Sequence, residues 1–332
     1  MRLTLCLPGL LLPRQALLDT VSDLRLPALM RVLGQGRLHR DIPTAHYVRV
    51  MQRWELEELP AAALRLLGEG GAPGSDDWLC LDPVHLSVDR RGVKLDDPAA
   101  LALTAAEDAE LRAAAAPLVA GLGELSATVP GHWYLRLAED CHLVTRALPE
   151  AIGRYVDPAL PGGSAGARWR RLLAEAQTVL HHHPVNRARE AAGQVPANHL
   201  WAWGEGRIET RFVAPFDALW TRDTVLQGLA RASGIAGREP PAAFEAAAGR
   251  IAAVVDKLAA PARDLDALAW REALADLERD WIVPALDALR RGRCSSLHIA
   301  AFGEDASLDI DVSRLDLMKF WRRPQPLARL AK

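Results

Sequence analysis

The residues best placed to do chemistry lie between Glu175 and Arg207, in the stretch EAQTVLHHHPVNRAREAAGQVPANHLWAWGEGR. His183 precedes Pro184, and Asn186, Arg187 and Arg189 follow closely. Pro196 and Asn198 lead into an aromatic run that ends in Gly204, Glu205, Gly206 and Arg207. A proline-started helix with adjacent arginines and a glycine turn can hold an anion. Helix N–H groups and guanidinium forks would supply the positive charge without a metal. Polar side chains packed this densely around prolines and glycines suit a built site better than a plain core.

Each candidate also has a structural reading. The three consecutive histidines invite a metal, since imidazole is the commonest metal-binding side chain. Neighbours on a helix point about 100° apart, so they do not converge on one ion. His181 and His182 read as caps on helix carbonyls, and His183 stays a functional candidate. Arg187 and Arg189 are either an anion site or solvated charges on a short helix. Asn198 either serves that site or satisfies a turn. Trp201 and Trp203 fall on one strand face and read as core or interface aromatics. Asp82 and His85 form a candidate polar pair, against a simpler role for Asp82 as a turn initiator before Pro83.

These side chains need elements to position them. Leu3 to Leu7 predicts a buried strand, and Leu24 to Leu33 a helix ending at Gly34 and Gly36. Leu56 to Leu67 is amphipathic, followed by a loop from Gly68 to Asp77. A strand over Trp78 to Leu81 breaks at Asp82-Pro83, and Asp89 to Gly92 turns a hairpin. Thr104 with Glu107 is a capping-box signature ahead of an Ala/Leu helix. Trp133 to Leu137 and His142 to Thr145 read as strands, Pro158 to Gly166 as a linker, Trp169 to His182 as a helix and His199 to Trp203 as a strand. Helices are expected near 222–232, 241–258 and 264–290, then strands near 296–301 and 307–312. Alternating strands and helices give an α/β fold, with a strand-rich segment over 82–198 inserted into a core made of 1–81 and 199–332.

The 183–207 block closely resembles a segment of archaeal-type cofactor-independent phosphoglycerate mutases. That segment reads His-Pro-x-Asn, a basic run, Gly, Pro-x-Asn, a strand and a Gly-x-Gly turn. His183, Pro184, Asn186, Arg189, Gly193, Pro196, Asn198, Gly204 and Gly206 carry the match. The resemblance implies an alkaline phosphatase-like core with an inserted α+β subdomain. Asp82 to Leu86, Trp133 to Leu135 and Phe320 to Pro324 resemble a bacterial offshoot described as RpfE-type regulatory proteins.

The family also implies two divalent metals held by Asp and His from several strand ends. Here Pro8 stands where an Asp-Gly pair would close the first strand, and proline has no donor side chain. Asp264 and Asp266 lack the accompanying histidine, and Ala300 to Gly303 is followed by Glu304 and Asp305 instead of Asp-His. Ser22 and Thr44 are the hydroxyls nearest the expected nucleophile position, and neither has a base beside it. No metal or cofactor is therefore expected.

Composition sets outer bounds. The 332 residues are half apolar with a formal net charge of −2, which gives no global bias toward nucleic acid or anionic membrane. The four cysteines are scattered without metal-binding spacing, and the apolar start is broken at Pro8 and Gly9, so a reduced cytoplasmic protein is expected. The leading function is a non-catalytic regulatory or phosphometabolite-binding protein, with His183, Asn186, Arg187, Arg189, Asn198, Gly204, Gly206 and Arg207 around one anion pocket. Its partners would be a phosphorylated small molecule or a protein. Two alternatives stand beside it: an active mutase or phosphatase with altered metal ligands, and a protein-binding scaffold with a vestigial pocket.

Overall fold

A computed structural model describes residues 1–157, 160–209, 211–303 and 306–331. Two compact units emerge. One comprises Met1–Leu56, Phe212–Asp223 and Ser233–Lys332, and the other Glu57–Arg211 with Thr224–Ala232. The segment expected at 82–198 falls inside the second unit, whose borders are wider. The physical reason is strand pairing: Trp78–Val84 runs antiparallel to His199–Gly206, with Asp82 opposite Trp201. A boundary at 82 or 198 would separate two hydrogen-bonded strands.

The first unit is built on a seven-stranded sheet. In spatial order its strands are Ala236–Arg238, Ala218–Trp220, Arg250–Val254, Arg2–Pro8, Ser296–Phe302, Ser307–Ser313 and Arg37–Asp41. The first five are mutually parallel, and Ser307–Ser313 runs antiparallel to both of its neighbours. Leu3, Leu5 and Leu7 alternate into the core, as period-two side-chain placement requires. Trp270, Trp281 and Leu286 join them from the helices Ala267–Leu277 and Val283–Arg290 and the π turn Glu278–Ile282 between those helices.

The helix expected over 241–258 is corrected by this sheet. Arg250–Val254 is a strand directly beside the first one, with Leu3 opposite Ile251. Alanine's helix preference amounts to tenths of a kcal/mol per residue. Ladder hydrogen bonds and burial of Ile251 to Val254 outweigh it.

In the second unit a four-stranded antiparallel sheet runs in the order His199–Gly206, Trp78–Val84, Trp133–Leu137 and Gly123–Ala127. The helix Ala105–Val119 starts with the expected reciprocal cap between Thr104 and Glu107. It joins the Gly166–His182 helix in burying Leu111, Trp169 and Leu173 with Leu79, Leu135 and Leu200 of the sheet. The turn expected at Asp82 does not form. The strand continues through Pro83, and the Asp82 carboxylate is fully buried.

That carboxylate accepts two parallel bonds from Arg65, at 2.7 and 2.8 Å, and further N–H bonds from the Trp133 backbone and the Trp203 indole. Arg65 also donates to the Tyr134 hydroxyl, which donates in turn to Glu69 at 2.6 Å. Both carboxylate oxygens of this buried pair are matched, so the desolvation of two charges is offset. Removing one partner from such a pair costs about 3–5 kcal/mol.

Candidate functional site

The 183–207 block is placed by the end of the Gly166–His182 helix and the short Pro184–Ala191 helix. Pro184 sits at the first helical position, where its missing N–H costs nothing. His183 is the N-cap, its Nδ1 accepting from the Val185 N–H at 3.3 Å. Asn186 is buried, and its amide donates to the carbonyls of Leu180 and Ala197 while its oxygen accepts from the Ala197 N–H. It acts as a clamp between the helix end and the chain entering the strand.

Arg189 is also buried. Its Nε donates to the Val195 carbonyl at 2.9 Å, one Nη pairs with Glu107 at 2.8 Å, and the other donates to the Leu101 carbonyl. Asn198 faces the backbone of Leu86 and bonds both its N–H and its carbonyl, at 2.8 and 3.0 Å. His85 fixes the same loop, with Nδ1 2.8 Å from the Pro196 carbonyl. Its expected partner Asp82 belongs to Arg65 instead.

The remaining members tie to other elements. Gly204 has φ +70°, and a Cβ there would lie 2.9 Å from the Cβ of Ala61. The glycine turn, with its strand bulge after Trp203, lets the backbone lie against the start of the Ala61–Gly68 helix. Gly206 approaches Pro60 in the same way. Arg207 is exposed and pairs with Asp77 and Glu209. Arg187 is exposed on the Pro184–Ala191 helix. The structure therefore uses Asn186, Arg189, Asn198 and both glycines to hold the second unit together. The polar side chains among them bond protein partners, whereas Arg187 and Arg207 lie exposed. His181 and His182 are exposed, and His182 Nδ1 lies 2.8 Å from the Thr178 carbonyl, consistent with capping.

Open α/β sheets bind ligands beyond the carboxyl ends of their parallel strands. In the first unit that edge is formed by Pro8, Phe302, Val254 and Trp220, the last residues of four adjacent parallel strands, with Pro8 opposite Phe302 and Val254 opposite Cys6. The chain leaving Pro8 turns inward: Leu10, Leu11 and Leu12 are buried. The Gly9 carbonyl accepts from the Trp270 indole at 2.7 Å, and a Cβ on Gly9 would lie 2.4 Å from the Leu258 carbonyl oxygen. A Cβ on Gly303 would meet Leu11 at 2.6 Å. The space beyond the central strand is thus filled by apolar side chains and backbone.

Charged groups along the edge are paired, and one buried imidazole nitrogen is not. Arg222 pairs with Glu239 and Asp256, and Tyr47 donates to Asp223 at 2.8 Å. His46 packs edge-on against Phe302, and its buried Nδ1 has no partner among the described residues. Burial lowers its pKa below the ordinary 6.5, against the opposing pull of the Asp223 carboxylate. Asp266 caps the Ala267–Leu277 helix and Asp264 pairs with Arg263. Ser22 and Thr44 donate to nearby backbone carbonyls. Glu304 and Asp305 lie outside the described residues. Among those described, no three His, Cys, Asp or Glu side chains gather as a metal would require.

The chain superimposes on a solved cofactor-independent phosphoglycerate mutase from Thermoplasma acidophilum. The TM-score is 0.51 at 15% identity, covering 99% of this chain and 94% of that one. The fold is that of the cofactor-independent phosphoglycerate mutases. A protein from Pyrococcus horikoshii aligns with TM-score 0.56 at 16% identity, over 94% of this chain and 87% of that one.

Sequence similarity is local. The 2,3-bisphosphoglycerate-independent phosphoglycerate mutase of Methanosarcina barkeri is 41% identical over 57 residues, 17% of this chain and 14% of that protein. The mutase of Methanothrix thermoacetophila is 30% identical over 117 residues, 34% of this chain and 28% of its own length. These matches span less than a third of each curated relative. No protein-family model matches the chain. Among the described residues no helix is long and apolar enough to cross a membrane.

Sequence reasoning missed Arg65, the buried cation at the centre of the second unit. Its signal was an arginine set among apolar neighbours on all sides, in AAALRLLG. Such a charge must find a buried partner.

Proposed function

We propose that this chain is a phosphoglycerate-mutase-like protein without the family's two-metal chemistry, acting as a non-catalytic regulatory protein. The observation carrying this reading is the carboxyl end of the central strand. Pro8 offers no ligand atom there, and the following Gly9 to Leu12 loop is packed against Trp270 and Leu258. Metals in phosphoryl transfer need several carboxylate and imidazole ligands drawn to one point. The carboxylates near this edge are already engaged, Asp256 by Arg222 and Asp223 by Tyr47. The residues present do not fit a dinuclear site, so no catalytic step is derived through one.

The resemblance to RpfE-type regulatory proteins supports the regulatory side of the reading, with a protein or small-molecule partner. The test is direct. Protein prepared with manganese, magnesium and zinc is expected to carry substoichiometric metal by elemental analysis. Interconversion of 3-phosphoglycerate and 2-phosphoglycerate at an enzyme-like rate, roughly 1 per second or more, would overturn the reading in favour of an active mutase.

A further inference from the structure

A cavity of about 540 Å³ opens in the first unit beside the start of the Pro27–Gln35 helix, the Glu278–Ile282 π turn and the Val283–Arg290 helix. It shares no residue with the carboxyl edge. Small-molecule sites measure roughly 300–1,000 Å³, with apolar walls and a few placed polar groups. The apolar walls here are Met30, Val283, Leu286 and Pro324. The backbone beside Pro324 is fixed, because the Gln325 N–H donates to the Met30 carbonyl at 2.9 Å. A π turn is rare in itself and is frequently found at functional sites.

The charges on the cavity decide what it would hold. Glu278 is buried, and its two oxygens accept the Ala28 and Leu29 N–H groups at 2.6 and 2.8 Å. Asp287 is matched by Arg290 at 3.3 Å. Both oxygens of Glu278 are thus occupied by backbone N–H groups, and Asp287 has a cation partner within the protein. Arg25 and Arg31 also line the cavity, and neither makes a hydrogen bond or ion pair with a described residue. Asp23 is near enough to feel the charge of Arg25, but its carboxylate is paired with Arg271. Two guanidinium groups without bonded partners, beside apolar walls, are complementary to one kind of occupant.

We propose that this cavity binds an amphipathic anion: a carboxylate or similar acid carrying an apolar chain or ring. Arg25 and Arg31 take the acid group, and Met30, Val283, Leu286 and Pro324 enclose the apolar part. The proposal is independent of whether the carboxyl edge is catalytic.

Titration calorimetry of the full chain with decanoate, below its micelle-forming concentration, is expected to give saturable one-to-one binding. The double substitution Arg25→Gln/Arg31→Gln should weaken it by roughly tenfold or more for each charge-assisted hydrogen bond removed. Its unliganded melting temperature should be unchanged, since neither side chain has a bonded partner to lose. Val283→Glu places a charge of the ligand's own sign on an exposed part of the wall and should weaken decanoate as well, by a route independent of the arginines. Absence of saturable binding, decanol bound as tightly as decanoate, or both variants binding like the wild type would overturn the proposal. A wild-type dimer dissociated by Val283→Glu would also overturn it, assigning the cavity to a second copy of the chain.

Discussion

Replacing Arg189 with alanine separates a structural role from a ligand-binding one. Arg189 is 4% exposed and holds the Val195 and Leu101 carbonyls together with the Glu107 carboxylate. Truncation strands the buried Leu101 carbonyl, at about 1–3 kcal/mol, and removes a bond to the half-buried Val195 carbonyl, at about 1 kcal/mol. Glu107, with its side chain 22% exposed, is compensated in large part by solvent and adds roughly 0–1 kcal/mol. The sum is about 2–5 kcal/mol, which overlaps the roughly 3–5 kcal/mol of a buried pair that loses one member. At roughly 2–4 °C per kcal/mol for a unit of this size, the melting temperature should fall by about 4–20 °C. Urea unfolding followed by tryptophan fluorescence gives the free energy, and melts in graded phosphate or 3-phosphoglycerate test for a ligand. A surface arginine serving an anion would behave in the opposite way, changing stability by no more than about 0.5 kcal/mol while abolishing a phosphate-induced shift. That pattern would refute the structural assignment and restore the anion pocket.

Gly204→Ala should destabilise the protein by about 1–3 kcal/mol from the left-handed backbone alone, with a further contribution from the 2.9 Å approach to Ala61; urea unfolding indistinguishable from wild type would contradict the packing role. His298 is flanked by Asp309 and Asp311 at 3.0 and 2.9 Å, with the Arg53 guanidinium opposing at 3.1 Å from Nε2. Burial works to lower its pKa, and the two carboxylates override this and raise it above 6.5. Because the folded value exceeds the unfolded one, its contribution to stability is fully present below pH 6.5 and fades as pH rises through the folded pKa. Unfolding measured across that window should show a downward slope that His298→Asn reduces, and an unchanged slope would count against the pairing.

Several elements followed from the sequence alone because their signals are local. Alternating leucines set the Arg2–Pro8 strand, the Thr104–Glu107 spacing set a capping box, and the Gly166–His182 helix showed its apolar stripe. Pro8 likewise excluded a side-chain ligand at the first strand end, since a residue type needs no fold to lack a donor. The 183–207 block pointed to the right fold for the same reason: its types and spacings are written in one continuous stretch.

What the block is for depended on residues far away in the chain. Arg189 reads as an anion ligand or a strut, and the partners it bonds, Leu101 and Glu107, lie more than eighty positions earlier. Arg250–Val254 carries alanines that favour helix, and only its place between two parallel strands makes it a strand. Asp82 before a proline suggests a turn, until Arg65, Trp133 and Trp203 converge on its carboxylate. Residue type fixes which bonds a side chain can make. Which of them it makes is decided by partners that only folding brings within about 3 Å.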